Sequence, residues 1–197
     1  MQQPLTLATE GFDDEAVARK ICASLGISVG HSYPACGKSK LDPKIRAYNQ
    51  AAAFAPWLVL RDLDADAPCP GALCRQLVEN PADQMVLRIP VRAIESWLLA
   101  DAGSMAAFLE IALSLLPGDP ETLSNPKREL VNLARRSRSK NIRISMVPPE
   151  GFSVSIGPEY TTRLVEYARL YWDPLRAAVR SESLRRCLAA LRMLYRL

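Results

Sequence analysis

The chain has 197 residues, of which 49% are hydrophobic, 23% charged and 7% aromatic; these are the proportions of a folded globular protein and exclude a disordered or collagen-like chain. The net charge of +4 is unevenly placed, with 10 Lys/Arg against 14 Asp/Glu in residues 1–120 and 15 against 7 in residues 121–197. An acidic front and a basic back suit cation chemistry in one part and anion or nucleic-acid contact in the other, although the solvated faces of Arg-rich helices give the same imbalance.

In chain order, Leu5–Thr9 reads as a strand followed by Glu10-Gly11. Asp13 or Asp14 is placed to cap a helix in which Ala16, Val17, Ile21 and Leu25 recur at helical spacing. Ile27–Gly30 reads as a short second strand ending near His31, before the turn-rich stretch HSYPACGKSKLD. A helix over Pro43–Ala53 is expected next, with its Pro in the first turn. Trp57–Leu60 is the clearest buried strand and runs into Arg61-Asp62-Leu63-Asp64-Ala65-Asp66. A helix near Gly71–Glu79 and a strand at Met85–Ile89 follow, and the alternation predicts an α/β unit with a mostly parallel sheet.

Beyond Ala93 the pattern is mainly helical. Helices are expected at Ile94–Ala100, Lys127–Arg136, Glu159–Val179 and Ser183–Leu194, and the middle of the segment SRSKNIRISMVPPEGFSVS is expected to be extended. Residues 1–92 thus form the α/β core and 93–197 a helical extension packed on it, with no linker to separate them. No apolar run reaches the roughly 20 residues of a membrane span. The start, MQQPLTLATEGFDDE, lacks a basic stretch followed by a long apolar one, so a cytoplasmic protein with no membrane partner is expected. The five cysteines (Cys22, Cys36, Cys69, Cys74, Cys187) contain no CxxC pair, and the single His31 cannot complete a Cys/His zinc pattern.

The carboxylates carry the functional signal. In open parallel sheets, sites form beyond the carboxyl ends of the strands. Glu10 follows the first strand, while Asp62, Asp64 and Asp66 follow the buried one. If the two strands are neighbours, these carboxylates meet at one rim, where mutual repulsion favours a divalent cation. Oxygen-only ligation points to Mg²⁺ or Mn²⁺. The Asp-x-Asp-x-Asp alternation lets every second side chain face the same way; helix capping and solvation are the ordinary alternatives for acids in such loops.

The layout strand–Glu10-Gly11-x-x-Asp14, then strand–Asp62-x-Asp64, resembles the TOPRIM domain of topoisomerases, primases and OLD-type nucleases over residues 5–90. The stretch Ile94–Asp101, with Glu159-Tyr160, Trp172-Asp173-Pro174 and Ser183-Leu184, is similar to a bacterial family of TOPRIM-like single-domain proteins, the domain of unknown function family 4276. Its members are often encoded beside ATPases and are linked to phage defence. The resemblance implies a TOPRIM/Rossmann-like fold, and a Mg²⁺-dependent phosphodiesterase or nuclease acting on DNA or RNA in defence or repair. It implies Glu10 as general acid/base or metal ligand, Asp62 and Asp64 as the metal-binding pair, and Asp66 as an outer ligand. The sequence departs from the family in having no glycine soon after the aspartates and no topoisomerase tyrosine domain, which removes topoisomerase activity. A non-catalytic regulatory partner of a neighbouring ATPase, and a small-nucleotide hydrolase, remain the alternatives.

Glu95, in the first turn of its helix, is a further candidate metal ligand on the same rim, and also simply favourable against the helix dipole. Asp101 is read as the cap of the next helix, and Trp97 as core. Gly37-Lys38-Ser39 ends like a phosphate-binding loop, but Ser32 stands where GxxxxGK[ST] requires glycine. Lys38 and Lys40 remain candidates for phosphate contact. The run from Arg135 to Arg143, with Arg135, Arg136, Arg138, Lys140 and Arg143, is the best nucleic-acid candidate; it would bind backbone phosphates without regard to sequence, and no aromatic residue is interleaved for base stacking.

Overall fold

A computed structural model of the chain describes residues 3–197. Four parallel strands, β1 (Leu5–Thr9), β2 (Val29–Pro34), β3 (Trp57–Leu60) and β4 (Met85–Arg88), form one sheet in the order β2-β1-β3-β4. Helices α1 (Phe12–Ser24), α2 (Lys38–Ala51) and α3 (Pro70–Leu77) connect them. The extension consists of α4 (Glu95–Ala100), α5 (Ala102–Leu109), α6 (Pro126–Arg135), α7 (Lys140–Met146), α8 (Tyr160–Leu170), α9 (Pro174–Ala177) and α10 (Glu182–Tyr195). The protein is therefore α/β, an all-parallel sheet flanked by helices. Among the described residues no helix is long and apolar enough to cross a membrane.

All four side chains of β3 are buried, because a central parallel strand is covered on both faces. Alternation then sorts the residues. Leu58, Leu60 and Val86 face α1 and the C-terminal helices, while Trp57, Val59, Met85 and Leu87 face α2 and α3. The first apolar cluster runs without a break from Leu5 and Leu7 to Leu191 and Tyr195. Residues 93–197 thus complete the same core as the sheet. Trp97 is fully buried; its indole N–H donates to Ser183 Oγ at 2.7 Å, and its carbonyl accepts the Trp172 indole at 3.1 Å.

Several sequence expectations are corrected. Gly11, not an aspartate, is the N-cap of α1, and Asp14 at the third helical position reaches back to accept the Gly11 N–H at 2.7 Å. The second strand lies later than expected, so His31 sits within it rather than at its end. Helix α2 starts at Lys38, which leaves Pro43 inside it, unable to donate to the Ser39 carbonyl. Residues 140–146 are helical, not extended. The long final pattern splits into α8 and α9 at Trp172-Asp173-Pro174, where Asp173 caps the new helix through Leu175 and Arg176 N–H.

Asp101 does not cap α5 with its side chain. The buried carboxylate instead accepts the Asp173 N–H at 3.0 Å and two bonds from the Arg176 guanidinium at 3.1 and 2.8 Å. It therefore pins the α8–α9 corner to the end of α4. Asp101→Ala leaves the half-buried Asp173 N–H without this partner and strips Arg176 of its buried carboxylate, and is expected to lower stability by about 1–3 kcal/mol, read as a shift in the denaturant midpoint at unchanged slope.

Candidate metal and phosphate site

The strand order reverses between β1 and β3: the chain leaves β1 toward β2 on one side and leaves β3 toward β4 on the other. Such a switch point opens a crevice at the carboxyl ends of the strands. Glu10 lies just beyond β1 and Asp62 just beyond β3, and the two are joined directly, Glu10 Oε1 accepting the Asp62 backbone N–H at 3.0 Å. The convergence expected of these two residues is present.

Asp62 turns its side chain inward. The residue is partly buried, and its Oδ1 is fully enclosed without a hydrogen-bond partner. Burial first, then the charges of Asp14, Glu95, Glu10 and Asp64, hold its carboxyl well above the usual range. Asp14 is raised in the same way, by burial and by Asp13, Glu10 and Glu95. Glu95, 1% exposed at the start of α4, is raised by burial and by Asp13, against the opposing pull of Lys127. Glu10, half-buried, is raised chiefly by burial, while the Asp62 N–H and Arg61 act in the opposite direction. Four carboxyl groups from β1, α1, the β3 end and α4 therefore share one poorly solvated rim.

Gly11 permits this crowding. A Cβ built there would lie 2.6 Å from Asp13 Oδ1 and 3.2 Å from Asp14 Oδ2, so a larger residue would have to push the Asp13 carboxylate aside. The counter-charges come from the helical extension. Lys127, in the first turn of α6, stands 3.6 Å from Glu95 Oε1, and Tyr160 at the start of α8 donates its buried hydroxyl to the same oxygen at 3.0 Å. Lys127 also lies over the Tyr160 ring at 5.8 Å, within cation–π range.

The remaining predicted ligands are directed elsewhere. Asp64 has a left-handed backbone (φ 49°), which interrupts the alternation that would have aligned it with Asp62. Its carboxylate bonds Lys38 at 2.8 Å, and Lys38 also holds Asp66 at 2.8 Å. The buried Arg61 collects Asp42 at 3.1 Å, Asp66 at 2.5 Å and, more distantly, Glu10 at 3.6 Å, and donates to the Asp62 carbonyl. The Lys38 and Arg61 hydrogen bonds keep Asp66 below the usual carboxylate range. The acids of the DxDxD run are thus split between a cation-neutralised outer group (Asp64, Asp66, with Asp42) and an inner group containing Asp62.

Sequence reasoning missed Asp14 as a member of the inner group, along with Arg61, Lys127 and Tyr160. Asp14 was visible as a candidate helix cap and as the last residue of the Glu10-Gly11-x-x-Asp14 pattern; Lys127 and Tyr160 come from distant helices and left no local signal. Of the basic candidates, Lys38 is engaged with Asp64 and Asp66, while Lys40 is exposed. Arg135, Arg136, Arg138 and Lys140 are exposed around the α6–α7 turn, and Arg143 donates to the Ser137 carbonyl, closing that turn. Because Lys127 and Arg135 bracket α6, this basic turn is carried about 12 Å along the helix axis from the carboxylate rim.

As the side chains stand, no three His, Cys, Asp or Glu among the described residues are arranged to hold a metal ion. The chemistry of the donor set nevertheless fits a hard dication: oxygen donors only, mutual repulsion, and a buried Asp62 Oδ1 with its lone pairs unused. Comparison of the chain with protein-family models, with curated proteins and with solved structures finds no match in any of the three.

Proposed function

We propose that the protein is a TOPRIM-like, Mg²⁺- or Mn²⁺-dependent phosphodiesterase acting on DNA or RNA, with Asp62 at the centre of its site. The observation that carries this reading is the buried, unpartnered Oδ1 of Asp62 at the switch point of the sheet, where Glu10 is bonded to the Asp62 N–H and the charges of Asp14, Glu95 and Glu10 all bear on its carboxyl. Asp62, with Glu10, Asp14 and Glu95, would hold the cation, and Asp64 and Asp66 would reach it only by releasing Lys38. When bound, a divalent cation supplies charge neutralisation and polarisation of a phosphate oxygen.

The chain's own groups do the rest. Glu10 has one oxygen fixed on the Asp62 N–H, which leaves the other to exchange a proton with water or a departing oxygen. Burial raises its pKa above the ordinary glutamate range, which makes it a better proton carrier than an exposed carboxylate. Lys127 places a positive charge beside the carboxylates, where it can meet a phosphate and offset developing negative charge. The exposed arginines of the α6–α7 turn give a backbone-directed, salt-sensitive hold on a polynucleotide.

The test is cleavage of plasmid DNA and of single-stranded DNA and RNA by the purified protein in Mg²⁺ or Mn²⁺. Cleavage that stops on chelation and weakens steeply with salt is expected. A protein that binds none of these and cleaves nothing with either ion, alone or with an ATPase encoded beside it, contradicts the proposal. Metal-dependent stabilisation without any cleavage would favour the alternative of a regulatory partner.

A further inference from the structure

We propose that the Lys127 ammonium is the built-in counter-ion of the carboxylate rim, that it leaves its place beside Glu95 when a divalent cation binds, and that it then turns to a phosphate of the substrate. This rests on the rim being a metal site and adds an order of events to that reading.

The two lysines at the site are held in different ways. Lys38 is fixed by bonds of 2.8 Å to both Asp64 and Asp66. Lys127 is not fixed. Its Nζ stands 3.6 Å from Glu95 Oε1, beyond hydrogen-bond length, and the same oxygen accepts the Tyr160 hydroxyl at a shorter 3.0 Å. Its other contact is the face of the Tyr160 ring, 5.8 Å from the centroid. The backbone beneath is anchored. Asn125 caps α6 by accepting the Arg128 N–H at 2.8 Å, and Pro126 and Leu130 on either side of Lys127 are buried. A firm base, a four-carbon stem and an unbonded head let the ammonium move while the helix stays in place.

Charge sets where the head rests. Glu95, Asp13, Asp62 and Asp14 all act on the ammonium. Glu95 is 1% exposed, whereas the Lys127 side chain is 46% exposed, so one positive charge stands on the open side of acids that solvent screens poorly. A single monovalent charge offsets only part of that group, and oxygen donors of this charge suit a dication. With the acids neutralised, the attraction that keeps Nζ beside Glu95 is lost and the two cations repel. The outlet for Lys127 is the solvent side, where its stem already lies. A phosphate arriving there meets a free ammonium, which holds it as a point charge. The same helix ends at Arg135, so Lys127 and the basic turn offer phosphate contacts along one element.

Two measurements on the purified, metal-free protein test this without turnover: Mn²⁺ binding followed by the paramagnetic resonance of the free ion, and lysine Cε resonances recorded during a Mg²⁺ titration. Circular dichroism confirms that each variant is folded. The chain has six lysines (Lys20, Lys38, Lys40, Lys44, Lys127 and Lys140), and Lys127→Arg assigns the resonance of interest by its loss. Lys127→Met is expected to bind Mn²⁺ at least about tenfold more tightly than the wild type. Lys127→Arg, which keeps the charge, is expected to stay within about threefold of the wild type. The Lys127 resonance of the wild type is expected to shift with Mg²⁺ while that of Lys20 holds still. Unchanged or weaker Mn²⁺ binding by Lys127→Met overturns the proposal, as does a Lys127 resonance indifferent to saturating Mg²⁺. If wild-type binding disappears in Asp62→Asn, those failures strike Lys127 alone and leave the rim as the metal site; if neither the wild type nor Lys127→Met binds either ion, both readings fall.

Discussion

Asp62→Asn is expected to abolish metal-dependent cleavage, by at least about 10³-fold, while making the metal-free protein more stable at pH 8. The two effects have one cause. Asparagine keeps the shape of the side chain and its place after β3 but removes the buried charge that Asp14, Glu95 and Glu10 oppose. Removing that charge repulsion is expected to raise the melting temperature by several degrees, although the buried polar atom stays without a partner. Glu10→Gln is expected to lower the rate by about 10²–10⁴-fold, the range of a lost general acid or base, and to keep the backbone bond to Asp62 through its amide oxygen. Asp64→Asn is expected to cost far less, under about tenfold, because its carboxylate is turned to Lys38. Initial rates on one labelled substrate, with melting curves of the same samples, check all three. Equal losses at Asp62 and Asp64 would refute the division of the acids into inner and outer groups.

Stability of the metal-free protein is expected to fall as pH rises above the ordinary carboxylate range, and Mg²⁺ or Mn²⁺ to restore it increasingly as it does. The sign follows from the inner carboxyl groups. Glu10, Asp14, Asp62 and Glu95 all have pKa values above their ordinary ones, burial being the first cause in each. A group held above its unfolded value binds more protons when folded, so its contribution is complete below the ordinary carboxylate range and lost as pH climbs through the folded value. Asp66 acts in the opposite sense, since Lys38 and Arg61 lower its pKa; its contribution is lost only on acidification below about pH 4. A cation bound by the inner carboxylates competes with their protons. At 100 times its dissociation constant it adds about 2.7 kcal/mol, a rise of roughly 5–10 °C. Melting curves across pH, with and without the ion, measure this. A metal shift independent of pH would mean that the ion binds elsewhere.

How much of this was legible in the sequence depends on how local each feature is. The strands Leu5–Thr9 and Trp57–Leu60 were readable because each is a short apolar run followed by turn or charged residues, and their adjacency brings Glu10 to Asp62 as expected. The placement of Glu95 at the start of its helix was readable for the same reason. What failed was fine geometry. The Asp62–Asp66 alternation assumed an extended or regularly turning backbone, and the left-handed Asp64 breaks it. Asp101 looked like a cap because it falls between two helical patterns; its actual partners, Asp173 and Arg176, lie more than seventy residues away. Lys127 and Tyr160 reach the rim by tertiary packing of the extension on α1 and α4, which no window of local sequence records.

The most direct measurement is anomalous scattering from a crystal soaked in Mn²⁺. A peak bonded to Asp62 Oδ1 at about 2.1–2.2 Å, shared with Glu10, Asp14 or Glu95, is expected. A fully occupied Mn²⁺ bound only by the outer Asp64 and Asp66, or a soaked crystal whose Asp62 keeps its unpartnered oxygen with no peak beside it, would contradict the inner carboxylates as the seat of the chemistry.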